Sequence, residues 1–167
     1  LLNYLSNQLG QLYDRAGKMA ASGIVNLNFL NKLNRIGFYQ NLPPKSLGRE
    51  YINKFHLAYI KSSELSTVDL LATFVEHIAF QISHLLEEIP VSNIFVTGGG
   101  AFNDFLIHKL RSNTNVDIIV PSNDIVEFKE SIIFGFLGVL KILNQPNCLS
   151  SVTGASQDHC AGDLYLI

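Results

Sequence analysis

Cysteine is scarce: Cys148 and Cys160 are the only two in 167 residues, and neither belongs to a CxxC pair or a metal-ligand cluster. That usage fits a reducing cytoplasm rather than a disulfide-stapled exported scaffold. Excess charge of one sign is missing too. Twelve basic against 14 acidic residues leave a net charge of −2, without a long like-charge run, which argues against a nucleic-acid partner. The longest apolar run near the C-terminus, Ile132 to Leu140, has nine residues, where a bilayer span needs about 20. No basic-then-apolar leader precedes the first helical pattern, so a soluble, unexported chain with no membrane partner is expected. Repeats and low-complexity segments are absent as well, and one domain is enough to describe the chain. Histidines do not fall at ligand spacing: His77 and His84 lie seven apart, and His56, His108 and His159 have no acidic or cysteine neighbour in a metal pattern. No zinc site is expected, and no Ser/His/Asp or Cys/His set can be read from order alone.

What is present is core-forming material, 47% hydrophobic residues with a mean hydropathy of +0.22. Leu1, Leu2, Leu5 and Leu9 form a helical stripe with no cap before it, which predicts a chain that starts mid-domain. The segment 13–23, YDRAGKMAASG, reads as a loop, and Asn26 to Ile36 as a helix. Pro43-Pro44 predicts an extended turn, after which Ser46 caps a helix carrying Tyr51, Phe55, Ala58 and Tyr59. A longer helix runs from Thr67 to Glu88 with Leu70, Leu71, Phe74, Ile78, Ile82 and Leu85 on its buried side, and Pro90 stops it. A strand at 94–97, a helix at 102–112, a strand at 117–120 and a last helix at 126–143 complete the pass. Two strands alone are marginal, so the fold class is α/β and helix-rich, with a sheet left incomplete in this chain and its partner strands expected upstream.

The densest signal is 94–106, IFVTGGGAFNDFL. Ile94, Phe95 and Val96 read as a buried strand, and Gly98, Gly99 and Gly100 then permit a sharp turn that a ligand can approach closely. With Phe102, Phe105, Leu106 and Leu110 at helical spacing, the following helix aims its N-terminal amides and dipole at the same crevice, beside Asn103. A purely structural turn has the same appearance, and the segment alone does not decide between the two.

Four segments taken together go further: PPKSLGRE at 43–50, VTGGGAFN at 96–103, EFKESIIFGFLGVL at 127–140 and VTGAS at 152–156. In this order and spacing the chain resembles the C-terminal half of an anhydro-N-acetylmuramic acid kinase, and YDRAGKMAASG is similar to the segment after that family's second phosphate loop. The similarity spans nearly the whole chain, and PPKSLGRE is its most specific motif, arguing against another sugar kinase. The resemblance implies the C-terminal, nucleotide-binding lobe, 1–167, of the ribonuclease H-like fold shared by actin, the heat-shock 70 chaperones and sugar kinases. It also implies a bacterial, cytoplasmic enzyme of cell-wall (peptidoglycan) recycling and amino sugar metabolism. Such kinases use ATP, with a divalent metal such as Mg, and water to open the 1,6-anhydro ring and phosphorylate O6, giving N-acetylmuramic acid 6-phosphate and ADP.

By that resemblance Gly98, Gly99, Gly100 and Asn103 are the adenosine contacts. The family's first phosphate loop, base aspartate and second phosphate loop correspond to sequence before Leu1, so no catalytic residue is assigned here. This chain alone is expected to be inactive, because phosphoryl transfer depends on positioning and charge stabilisation from both sides of the cleft. The missing lobe, ATP and the anhydro amino sugar are the expected partners, and uncovered apolar surface predicts pairing of the chain with itself, as a homodimer, or aggregation.

Lys45 and Arg49 suit an anionic ligand near a helix start or a solvated pairing with Glu50. Glu130 suits a hydrogen bond from a sugar hydroxyl, by resemblance, or a surface acid favoured by the helix dipole; Glu127 reads as solvated. Thr153 and Gly154 suit nucleotide support or a turn, and Asp14 suits a cap or loop brace rather than the base. Leu47 stands where the family more often has threonine, which removes a hydroxyl beside Ser46. A non-catalytic interaction or regulatory module that keeps the lobe's fold is the alternative function.

Overall fold

The computed structural model describes residues 1–42 and 45–165. They fall into two compact bodies, Leu1–Pro121 and Ser122–Ile167. The extended turn expected at Pro43-Pro44 lies outside the described residues.

The first body is built around one long helix. It opens with α1 (Leu2–Gln8), a 3-10 turn (Arg15–Gly17), α2 (Lys18–Ser22), α3 (Leu27–Asn34) and α4 (Gly37–Gln40). Then come α5 (Arg49–Tyr51), which runs through a π turn (Ile52–His56) into α6 (Leu57–Lys61), and α7 (Thr67–Glu88). After it come β1 (Asn93–Phe95), a second 3-10 turn (Gly99–Phe102), α8 (Asp104–Asn113) and β2 (Asp117–Ile119).

α7 starts where the Ser66 hydroxyl accepts the Asp69 N–H at 3.1 Å, a side-chain cap for an otherwise unpartnered amide. It packs against α1, α2, α3 and α8. Leu71, Phe74, Val75 and Ala79 are fully buried, and Leu86 continues that face. Leu85, expected inside, is 54% exposed. The spacing from 71 through 75 and 79 to 86 follows one face at 3.6 residues per turn, and Leu85 lies one position off it. α8 is pinned to α7 by Lys109 Nζ and Glu76 Oε2 at 2.8 Å, with the Asn113 amide donating to Glu76 Oε1 at 3.3 Å.

Strands β1 and β2 pair in parallel, Asn93 against Asp117 and Phe95 against Ile119, joined by α8. The buried strand expected from Ile94–Val96 is corrected here: Phe95 is 64% exposed, and Ile94 and Val96 are half-buried. Ile94 and Val96 pack against the core, and alternation along the strand sends Phe95 to the opposite face. Two local expectations change as well. The segment 13–23 is not a loop, because it holds the first 3-10 turn and α2. Ser46 caps nothing, since α5 begins only after Gly48, out of reach of the hydroxyl.

A buried polar chain joins α3, α4, the π turn and α7. Tyr39 Oη sits 3.0 Å from His56 Nε2 and 3.0 Å from His77 Nε2. His77 Nδ1 lies 2.6 Å from Asn34 Oδ1, which also accepts the Gln81 amide at 3.1 Å. Because Asn34 Oδ1 accepts only, His77 carries its proton on Nδ1, so its Nε2 accepts the Tyr39 hydroxyl. Tyr39 then accepts from His56 Nε2–H, which leaves His56 Nδ1 as a buried lone pair without a partner among the described residues. Burial pushes the Tyr39 hydroxyl up to about 12 and the His77 imidazole down to about 4. It lowers His56 as well.

The second body holds α9 (Asn123–Ile142) and α10 (Ser150–Thr153). The Asn147 side chain ties 137 to 161: its amide donates to Leu137 O and Ala161 O, each at 3.2 Å, and its oxygen accepts Ala161 N–H at 2.8 Å. An antiparallel bridge links Cys148 and His159. Among the described residues, no helix is long and apolar enough to cross a membrane.

Candidate functional site: the triple-glycine turn

The chain leaves the carboxyl end of β1 through Val96 and Thr97 and turns at Gly98, whose φ of 78° and ψ of −179° belong to a region open essentially to glycine alone. Ala101 N–H donates to Gly98 O at 2.9 Å and Asn103 N–H to Gly100 O at 3.1 Å, closing the 3-10 turn. The Asn103 carboxamide oxygen then accepts Leu106 N–H at 3.0 Å and caps α8. A β-carbon built on Gly98, Gly99 or Gly100 would meet no atom within 4 Å. The turn therefore shows bare backbone to open space at the carboxyl end of a parallel strand, the place where α/β sheets take ligands. Its glycines are not spent on crowding from within the protein.

Asn103 is only 8% exposed, and its oxygen is committed to the α8 cap. The sequence grouped it with the three glycines; the structure puts its side chain behind the turn, against Gly17, with Gly99 and Gly100 exposed in front.

Asp14 sits in the loop behind Asn103. It is buried, and its two carboxylate oxygens accept the N–H groups of Met19 and Ala20, each at 2.9 Å. This is a cap for α2 and a brace for the loop, as one reading of the sequence had it. Asp14→Ala is expected to lower unfolding stability by about 2 kcal/mol, since two charge-assisted bonds to buried amides are lost. Urea unfolding at pH 7 checks it: a change under half a kcal/mol removes the brace from the account.

The remaining candidates lie elsewhere. Lys45 Nζ donates to the carbonyls of Phe38 and Tyr39 at 3.4 and 3.3 Å and lies 5.3 Å over the Phe38 ring, which ties it to the end of α4. Arg49 opens α5 and is exposed; among the described residues it forms no ion pair. Glu130 is exposed at mid-α9, in the second body, and Glu127 is exposed one turn earlier. Thr153 and Gly154 end α10: the Thr153 hydroxyl donates to Leu149 O at 2.9 Å and Gly154 takes the left-handed φ of 74°. Among the described residues, no three His, Cys, Asp or Glu side chains converge to hold a metal.

Sequence reasoning missed two features. The Tyr39–His56–His77 chain escaped it because its members are 17 and 38 positions apart. Gly17 was noted within YDRAGKMAASG, but its packing against Asn103 escaped because nothing local shows it.

Comparison with known proteins places the chain in a family. The family model for anhydro-N-acetylmuramic acid kinase matches residues 1–166, and the chain belongs to that family. An anhydro-N-acetylmuramic acid kinase of Crocosphaera subtropica is 32% identical over 166 residues, covering 92% of this chain and 43% of its own length. The corresponding protein of Hahella chejuensis is 30% identical over 97% of this chain and 45% of its own length. That of Coxiella burnetii is 30% identical over 94% of this chain and 44% of its own length. The chain thus spans less than half the length of the curated relatives it matches.

Proposed function

We propose that this chain forms the C-terminal, ATP-binding lobe of a kinase that hydrolytically opens 1,6-anhydro-N-acetylmuramic acid and phosphorylates it at O6, in an actin-like two-lobed fold. The observation that carries the reading is the open triple-glycine turn at the end of β1, in a chain whose family is that of these kinases. Backbone free of side chains at Gly98, Gly99 and Gly100, the last two exposed, fits the close approach of an adenosine, and Asn103 holds the turn at its α8 end. ATP, when bound, supplies the phosphoryl group; the residues here orient the nucleoside end and exclude side chains from its path. Glu130, Lys45 and Arg49 remain the substrate-side candidates in this proposal, and the described residues offer no metal ligand set, so a divalent ion would arrive with the nucleotide or from the other lobe.

A further observation supports the partial-lobe reading: the relatives are more than twice as long as the matched chain. By this account the 167 residues alone bind nucleotide weakly and turn nothing over, and the enzyme works in the cytoplasm.

The test is product formation. The whole natural enzyme, given ATP and the anhydro sugar, is expected to release ADP and N-acetylmuramic acid 6-phosphate in equal amounts. ADP release that does not depend on the sugar contradicts the substrate, and turnover by the 167 residues alone at the whole enzyme's rate contradicts the division of labour.

A further inference from the structure

The loop behind the glycine turn is left-handed at two consecutive positions, of which Ala16 is the strained one. Ala16 has φ 56° and ψ 15°, and Gly17 has φ 71° and ψ 21°, both left-handed. A left-handed alanine is unfavourable by itself and persists because the Asp14 carboxylate clamps the chain on the far side through Met19 and Ala20. The left-handed pair delivers the bare α-carbon of Gly17 against α8. A β-carbon there would overlap Asn103 Oδ1 and stand 2.6 Å from Phe105 Cβ, closer than such atoms ever come.

Asn103 connects this seat to the turn. Its backbone N–H closes the triple-glycine turn on Gly100 O, its side chain caps α8 on Leu106 N–H, and the same side-chain oxygen rests over Gly17. Pushing that oxygen away breaks the cap and rotates the residue that closes the turn.

We propose that Gly17 is a positioning residue for nucleotide binding: its bare α-carbon seats the Asn103 side chain, which in turn fixes the direction of the Gly98–Gly100 backbone. This rests on the reading of that turn as the nucleotide contact. Asp14 and the left-handed pair are then a device that aims the turn from behind, without touching the ligand.

Calorimetric titration of the whole natural enzyme with ATP separates positioning from mere stability, because it reads the competent fraction as stoichiometry and the site's quality as Kd. Gly17→Ala is expected to raise Kd tenfold or more in the molecules that fold, with unchanged stoichiometry. In an Asn103→Ser background the shorter side chain keeps a capping oxygen and vacates the space over residue 17, while Phe105 Cβ, 2.6 Å from the new β-carbon, must still give way. There Gly17→Ala is expected to raise Kd by a clearly smaller factor than in the parent, a coupling that two independent sites would not show.

A Kd unchanged by Gly17→Ala, or raised equally in both backgrounds, overturns the proposal. If Gly17→Ala alone does not fold, Asn103→Ser decides, because it keeps a capping oxygen and empties the seat over Gly17: a Kd raised severalfold at unchanged stoichiometry supports the seat, and the parent's Kd refutes it. Gly99→Val in the same assay distinguishes the two levels. Loss of binding there with no effect of Gly17→Ala defeats only the seat, whereas unaltered binding by Gly99→Val, or no binding by the parent, defeats the nucleotide reading together with it.

Discussion

Phe74→Ala is expected to lower unfolding stability by about 4 kcal/mol, the middle of the range for removing a fully enclosed aromatic ring. Phe74 has no exposed surface. Its ring meets Phe29 edge to face, with centroids 5.9 Å apart at 75°, and lies 6.4 Å from His56 and 6.5 Å from His77. It therefore closes the apolar wall of the polar chain as well as the packing of α3 on α7. Leu71 and Val75 beside it are fully enclosed on a helix held by four others, so the cavity cannot collapse without moving backbone. Urea unfolding of the two proteins reads the difference. A loss under about 1 kcal/mol would place the main core somewhere other than along α7.

Acidification is expected to remove about 3 kcal/mol between pH 6.5 and pH 4. The folded imidazole of His77 titrates at about 4, below the ordinary value of about 6.5. As pH falls, the unfolded chain therefore takes up this proton first, and unfolding gains. The contribution is complete above about pH 6.5, declines as pH falls to 4 and is gone below that. Burial is the main cause, and His56 adds to it. Around the ring stand Tyr39, His56, Asn34 and Gln81, none of which is a carboxylate able to hold an imidazolium. Protonation at Nε2 also displaces the Tyr39 hydroxyl proton from its one acceptor. His77→Gln is expected to flatten this slope in stability measured across the range. A slope that survives the substitution would assign the acid sensitivity to other groups.

How much of this was visible in the residues depended on the range of the determining contact. α7 was legible at about its observed bounds, Thr67 to Glu88, because its signals are local: the periodic face and Pro90. The two strands and α8 were legible within two or three residues, and so was the pairing of a glycine turn with a helix start. α2 was read as loop because its cap is Asp14, four residues before its first turn, and its five residues carry no full period. The exposure of Phe95 could not be read from an apolar strand, since hydropathy reports what a residue suits and not whether a neighbour is present to cover it.

The site divides the same way. A run of three glycines is conspicuous in sequence, and the structure adds that none of them is required by internal crowding. The role of Asn103 was mixed with theirs because adjacency in sequence does not distinguish the front of a turn from its back. Gly17 stood out in the sequence only as part of YDRAGKMAASG, and its contact with Asn103, 86 positions away, was not legible there. Local propensity placed the elements, and contacts between distant segments decided which residues aim them.

The central claim, that the open glycine turn receives the nucleotide, is tested most directly by titrating ATP into the protein and its Gly99→Val variant while recording Tm for both. Gly99 lies outside the left-handed region and a side chain there meets open space, so the fold is expected to tolerate valine with Tm within about 2 °C, as for a surface substitution. ATP binding should be lost, because the side chain occupies the ligand's path. Equal affinity in the two proteins at equal Tm would contradict the account and return the three glycines to a turn without a ligand.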